Sequence, residues 1–455
     1  MTTSIPSPPP RRTGRSERTT SLVERDLRSL WHPFTQHAVW AGDDPLVIDR
    51  AAGMHLWDTD GNRYLDGVSS LWVTVHGHAV PEIDEAVRRQ LGRLEHSTFL
   101  GLTHEPGIEL AERLLATAPP GLTRVFYAGD GSSAVEAALK MAFQATAQRR
   151  PASGAARPLF LHVAEGYHGD TLGAVSVGGI DLFRATYRPI LLDACTVSSP
   201  GVLGTQSRVE RATEVLVEMR TRLAEADGQV CAVVVEPLVQ AAGGMLTHDV
   251  SFVRGVRALC DEYDALMVVD EVATGVGRTG RMWAVEHAGI TPDLMTCGKG
   301  LTGGYLPLSA VLAREEVYEA FLGAPAEART FFHGHTYTAN PLCCAAAIAN
   351  LDLMAQRGTI AHAARVGELI GELTAPLAAR EGVVEVRRIG TMTGIEVAPV
   401  TERAGVAVCQ AARRRGVWVR PLGDVVIVMP PLSIGDDDLT TLCGVVEESV
   451  AEVLS

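Results

Sequence analysis

No stretch of this chain approaches the ~20 consecutive apolar residues that a membrane-crossing helix requires. No membrane partner is expected. Positive charge is also scarce. Lys and Arg number 40 against 54 Asp and Glu, a formal net charge of −14 that argues against nucleic acid as a partner. None of the eight cysteines, at 195, 231, 260, 297, 343, 344, 409 and 443, forms a Cys-x-x-Cys pair. Several lie inside apolar runs, so they read as reduced, buried thiols of a cytoplasmic protein rather than a zinc site or a disulfide frame. The N-terminus has no apolar signal core. Rich in Pro, Ser, Thr and Arg, residues 1–20 read as a disordered tail.

What is present is enough apolar residue, 46%, to build a sizeable core in a chain of 455 residues. That length suits two or three domains, or one large α/β domain with a satellite. Order is expected from about Leu22, with Asp26–Trp31 helical. Leu46–Ile48 and Met54–Asp58, with Asp60-Gly61-Asn62 as a turn, predict a small antiparallel sheet. Helical spacing runs over Pro81–Arg93 and Glu105–Ala116. From Arg124 short apolar runs alternate with amphipathic segments: Val125–Tyr127, Ala134–Ala147, Leu159–Val163, Val230–Val235, Phe252–Tyr263 and Leu266–Val269. Near-continuous apolar strands separated by helices predict a mostly parallel sheet covered on both faces. Beyond Asn340 come two helices, Leu342–Ala355 and Ala361–Ala379. The runs Val384–Ile389, Met392–Val397, Val417–Val419 and Val425–Met429 follow as strands of a small domain. The division expected is a tail at 1–20, part of a small domain at 21–75, a large domain at 76–339 and the rest of the small domain at 340–455.

Within that outline one pairing stands out. The apolar run Leu266–Val269 ends in Asp270-Glu271, and a helix and loop later Lys299 sits between glycines in Gly298-Lys299-Gly300. An amine that can condense with an aldehyde, and a carboxylate that can keep a pyridine nitrogen protonated, are what pyridoxal 5′-phosphate chemistry requires. Gly129-Asp130-Gly131-Ser132-Ser133 follows a strand and opens a helix, where free N–H groups suit a phosphate, although a Ser-Ser helix cap would account for it too. Tyr167, between Gly166 and His168-Gly169, could lie over a flat ring or simply pack in a core. His333-Gly334-His335-Thr336 adds a second glycine-and-hydroxyl element. Arg420, after Val417-Trp418-Val419, offers a planar fork for a carboxylate or for a surface salt bridge. Gly275-Val276-Gly277-Arg278-Thr279-Gly280 spells a dinucleotide-binding loop, but five residues separate it from the strand it should follow, so NAD binding is set aside.

The order of these elements resembles the class III (ω-) aminotransferases of fold type I. The likeness runs from about Leu22 to the C-terminus. The Asp270 and Lys299 motifs are common to the class. Trp31-His32-Pro33-Phe34-Thr35-Gln36, Ser69-Ser70-Leu71-Trp72, His76-Gly77-His78 and Trp418-Val419-Arg420-Pro421 are similar to the branch that acts on 8-amino-7-oxononanoate in biotin biosynthesis. The resemblance implies an α/β fold with a mostly parallel central sheet covered by helices and a smaller α+β domain drawn from both termini. It also implies a pyridoxal-phosphate-dependent, ping-pong amino transfer between small molecules, in a homodimer with shared sites. By the same likeness Lys299 carries the cofactor and shuttles the proton, and Asp270 pairs with the ring nitrogen. Val272 and Tyr167 flank the ring, and Gly131 and Ser132 bind its phosphate. His335 and Thr336 reach that phosphate from the other subunit. Phe34, Leu71, Trp72, Tyr167, Lys299, Gly334 and Arg420 line the substrate pocket.

Three positions depart from the branch that uses S-adenosylmethionine as amino donor. Phe34 stands for a tyrosine, Leu71 for a tryptophan and His335 for a proline, which resembles the branch that uses lysine. Two other readings compete: a class III aminotransferase acting on ornithine, 4-aminobutyrate or a similar amine, and a non-catalytic relative retained for binding. The second of these predicts loss of Lys299 or Asp270, and both are present.

Overall fold

The first ordered element begins earlier than the sequence suggests. In the computed structural model, which describes residues 14–149 and 159–455, a helix spans Glu17–Ser29. Residues 17–20, expected to be disordered, are therefore helical, and residues 1–13 of the expected tail lie outside the described residues. The cause is local. The Ser16 hydroxyl accepts the Thr19 N–H at 3.2 Å, capping the helix. Thr19 itself is buried and its hydroxyl meets Thr59 and Asp60 at 2.6 and 2.7 Å. Leu30 and Trp31 lie beyond the helix end.

Three antiparallel strands follow: β1 (Ile48–Ala52), β2 (His55–Asp58) and β3 (Arg63–Asp66). The expected turn at Asp60-Gly61-Asn62 joins β2 to β3, and the Asp58 carboxylate accepts the Asp60 and Asn62 N–H groups at 3.0 and 2.8 Å.

The central sheet is built from β4 (Leu122–Ala128), β5 (Leu159–Val163), β6 (Ala194–Val197), β7 (Val230–Val235), β10 (Leu266–Asp270), β11 (Leu294–Cys297) and β12 (Ser309–Arg314). A two-stranded hairpin, β8 (Val239–Gln240) and β9 (Leu246–Thr247), branches off after β7. The spatial order is β4-β12-β11-β10-β7-β5-β6, and β12 runs against both neighbours while the other pairings are parallel. Alternation explains the unbroken apolar runs. Val233, Val235, Met267 and Val269 pack on one face with Phe252, Val256 and Met219. Ala232, Val234 and Val268 pack on the other with Ala134, Ala138 and Ala142 of the helix Gly131–Arg149. Each fully buried valine of this kind contributes about 1.5–3 kcal/mol.

The last third carries β13 (Val383–Ile389), β14 (Met392–Val397), β15 (Val417–Trp418), β16 (Arg420–Leu422) and β17 (Val425–Val428). Four of them form a sheet in the order β13-β14-β17-β16. The fifth, β15, pairs in parallel with β3, so the two ends of the chain share a sheet. The helix Pro341–Gln356 packs against the helices Pro81–Leu91 and Glu105–Thr117 and against the Lys299–Thr302 turn. Gly275–Gly280 forms turns rather than the start of a helix, in keeping with setting the dinucleotide spelling aside.

Candidate active site

In open α/β sheets ligands bind beyond the carboxyl ends of the parallel strands, and that is where the polar residues gather. Here β10 ends in Asp270, β7 is followed by Glu236, β5 by the loop carrying Tyr167 and His168, β4 by Gly129–Ser132 and β11 by Lys299. One cavity of about 430 Å³ collects them. Its lining includes Lys299, Asp270, Glu236, Tyr167, His168 and Trp72, together with Gly131, Ser132, Val272 and the Ala241-Ala242 pair. Thus the two residues on which the sequence reading rests open on a single chamber.

Asp270 is buried and held from three directions. Its Oδ1 accepts the Val272 N–H and the Thr296 hydroxyl, each at 3.0 Å. His168 Nδ1 stands 2.8 Å from its Oδ2. Burial pulls the His168 pKa down, but the hydrogen bond and charge of Asp270, with the charge of Glu236, more than reverse this and leave it above the ordinary value. Among the described residues, His168 Nε2 is buried without a partner. The arrangement fixes a carboxylate that faces the chamber and can hold a cationic N–H.

Lys299 is half-buried at the cavity wall. Burial lowers its pKa below the ordinary lysine value, opposed by the charges of Asp270 and Glu236. Its Nζ lies 5.1 Å from the centre of the Trp72 ring. The backbone at Lys299 has a φ of +43°, and Ser69, Ser70 and Trp72 opposite have φ of +52°, +59° and +66°. Non-glycine residues held there cost on the order of 1–3 kcal/mol each and concentrate at functional sites. Asn350, buried in the helix Pro341–Gln356, secures the lysine turn by donating to the Gly300 and Leu301 carbonyls, both at 3.0 Å.

The opposite wall is a helix start. Asp130, not the serine pair, caps the helix Gly131–Arg149: its Oδ1 accepts the Ser133 N–H at 2.9 Å and its carbonyl accepts the Ala134 N–H at 3.0 Å. The first N–H groups of the helix, on Gly131 and Ser132, have no intrahelical acceptor by construction. The Ser132 hydroxyl, expected to face a phosphate, is turned onto the next loop, where it accepts the Asp170 and Thr171 N–H groups at 2.9 and 3.0 Å. Close approach is built in. A Cβ on Gly131 would stand 2.7 Å from Val272 Cγ1, and one on Gly169 2.2 Å from Ser132 Oγ.

Glu236, absent from the sequence reading, sits between these groups. It accepts the Tyr167 N–H and the Ala241 N–H, each at 3.0 Å, and burial pushes its carboxyl up to about 7. Its signal was available: Val230–Val235 followed by an acid repeats the pattern that flagged Asp270. His168, Thr296 and Asn350 were likewise passed over.

Other expected residues lie outside the lining. Phe34 is 62% exposed and Leu71 51% exposed. Phe34 packs edge-on against Phe183 at 5.5 Å between centroids, and Phe183 against Tyr167 at 5.8 Å, which links Phe34 to the chamber at one remove. Gly334, Thr336 and Arg420 are exposed. His335 packs near the phosphate-side turn of its own chain, since a Cβ on Gly129 would stand 3.4 Å from its Cε1.

A mostly parallel sheet whose strand ends join a half-buried lysine, a buttressed acid and an open helix start in one chamber is the layout of a transaminase. The class III aminotransferase family profile matches residues 37–450, and the chain belongs to that family. It is 49% identical to the adenosylmethionine-8-amino-7-oxononanoate aminotransferase of Nitratidesulfovibrio vulgaris, over 96% of this chain and 83% of that one. To the protein of the same name from Geobacter sulfurreducens it is 44% identical, over 96% and 98%. The crystal structure of the Methanocaldococcus jannaschii protein of that name superposes with a TM-score of 0.90 at 38% identity, covering 95% of this chain and 99% of that one. A PLP-bound amine transaminase from an uncultivated Pseudomonas species superposes at 0.88 with 32% identity, covering 93% and 99%.

Proposed function

We propose that this chain converts 8-amino-7-oxononanoate to 7,8-diaminononanoate in biotin biosynthesis, with pyridoxal 5′-phosphate in the chamber and S-adenosylmethionine as amino donor. The carrying observation is that Lys299 and Asp270 line one cavity with the open helix start at Gly131, in a chain whose similar proteins bear that activity in their names over nearly their whole length.

When bound, the cofactor supplies an aldehyde that holds the amino group and a ring that draws electrons from the neighbouring carbon. The chain does the rest. Gly131 and Ser132 offer backbone N–H groups to the phosphate. Asp270, kept in place by Thr296, Val272 and His168, holds a proton on the ring nitrogen. Val272 and Tyr167 confine the ring. Lys299, its amine made less basic by burial, takes the proton from the substrate carbon and returns it at the neighbouring position. Trp72 covers the lysine and keeps water from it. Arg420 receives the substrate carboxylate. The enzyme works as a homodimer in the cytoplasm. Its exposed Trp31, Phe34, Leu71, Leu100, Phe332 and Tyr337 supply the apolar surface a second copy would cover. His335 and the exposed Thr336 reach the other subunit's phosphate.

One observation favours lysine as donor instead: Phe34 and Leu71 carry neither a hydroxyl nor an indole to engage a sulfonium nucleoside. The test serves both readings. Yellow enzyme is mixed separately with S-adenosylmethionine and with lysine, and the donor bleaches the visible band. Turnover of ornithine or 4-aminobutyrate, with none of 8-amino-7-oxononanoate, would replace the proposal with a different aminotransferase.

A further inference from the structure

Across the sheet β13-β14-β17-β16 the register places Arg387 opposite Gly394, Gly394 opposite Ile427, and Ile427 opposite Arg420. Directly paired residues project from the same face, so the four form one row from edge to edge, spanning three strand spacings of about 4.8 Å. Arg387, Gly394 and Ile427 meet the chamber wall, and Arg420 lies on the same face of the sheet. Arg387 is 1% exposed. Its Nε and Nη2 both donate to the Gly244 carbonyl, at 3.1 and 2.9 Å. Its Nη1 is held by Glu385 and Glu396. Gly394 leaves room for the same turn, because a Cβ there would stand 3.0 Å from Met245 Cβ. Ile427 packs in a cluster with Trp72, Ala241 and Met245. Arg420 shares its face with Leu422, which packs against that cluster.

The turn that Arg387 grips belongs to the β8-β9 hairpin, whose Ala241 and Ala242 line the cavity. Glu236 fixes the other end of the turn through the Ala241 N–H. We propose that Arg387 is a positioning residue for substrate: by clamping the Gly244 carbonyl it docks the C-terminal sheet on the chamber wall, and so sets where Arg420 stands relative to Lys299. This rests on the reading of Arg420 as the carboxylate receiver.

The test uses holoenzyme and nonanoate, a nine-carbon carboxylate, as a competitive probe. Arg387→Lys keeps the charge that Glu385 and Glu396 require but loses the two-pronged grip. Gly394→Ala perturbs the same row without touching a charge. Each should weaken nonanoate inhibition and raise KM for the amino acceptor roughly tenfold, with kcat changed about twofold or less. Arg420→Gln should do at least as much. Combined with Arg387→Lys it should cost little more than Arg420→Gln alone, because the first acts through the second. A merely structural Arg387 would lower the unfolding midpoint and leave nonanoate inhibition unchanged. That result, or additive effects in the double variant, overturns the inference while the carboxylate reading stands. An Arg420→Gln enzyme with unchanged nonanoate inhibition overturns that reading and this inference with it.

Discussion

The floor of the chamber and its rim are built by different means. Asp270, Glu236 and Lys299 stand at or just past the ends of strands buried on both faces, so their positions are fixed by the central sheet. Phe34 and Thr336 sit on exposed loops, Leu71 in the kinked short helix Ser69–Trp72 and Arg420 on an edge strand. In the proposed function they take a role only through something else: a second subunit, or the sheet that Arg387 docks. A floor set by packing can be precise in a single chain, whereas the proposal leaves the outward-facing rim to be completed by a second copy.

The contrast is sharpest at Lys299. Lys299→Ala should remove turnover by about four orders of magnitude or more and abolish the visible band of covalently held cofactor; a spectrum like that of the parent would deny the lysine its role. Asp270→Asn comes next. It should lower kcat by about three orders while cofactor still binds, and near-normal turnover would refute the ring-nitrogen assignment. A rim residue should behave differently. Thr336→Val should weaken cofactor binding by about tenfold, as loss of one hydrogen bond to a charged group does. In mixed dimers the defect should appear in the site of the subunit that retains Thr336. A defect confined to the variant's own site would place Thr336 within its own chain.

The smallest effect tests the floor through pH. Burial raises the Glu236 carboxyl to about 7, above its ordinary value. Its contribution to stability is therefore complete below about pH 4.5 and is lost as pH rises through about 7. Urea midpoints of the parent should fall across that window, and Glu236→Gln should flatten part of the fall. Glu271, also raised to about 7 by burial, should account for a similar share. An unchanged slope in the Glu236→Gln enzyme would show that Glu236 stays ionised.

The same division decided what the sequence disclosed. The strands of the central sheet were legible because burial on both faces forces unbroken apolar runs, and an acid or a glycine-flanked amine at the end of such a run is conspicuous. Glu236 was equally marked and was missed because Pro237 and a hairpin follow it, not a second chemical group. Asn350 hides in an alanine-rich helix, and its partners lie about fifty residues away. The helix at Glu17–Ser29 hides behind composition, since what stabilises it is burial of Thr19 against Asp60. The row from Arg387 to Arg420 exists only as strand register, which local pattern does not specify.

The left-handed torsion at Lys299 has a consequence for stability. The residue proposed to do the chemistry is also one where the polymer is bent against its preference. Lys299→Gly should therefore unfold at higher urea than the parent, by about 1 kcal/mol, while being inert. Stability at this position would then favour glycine, and the proposed turnover requires the lysine.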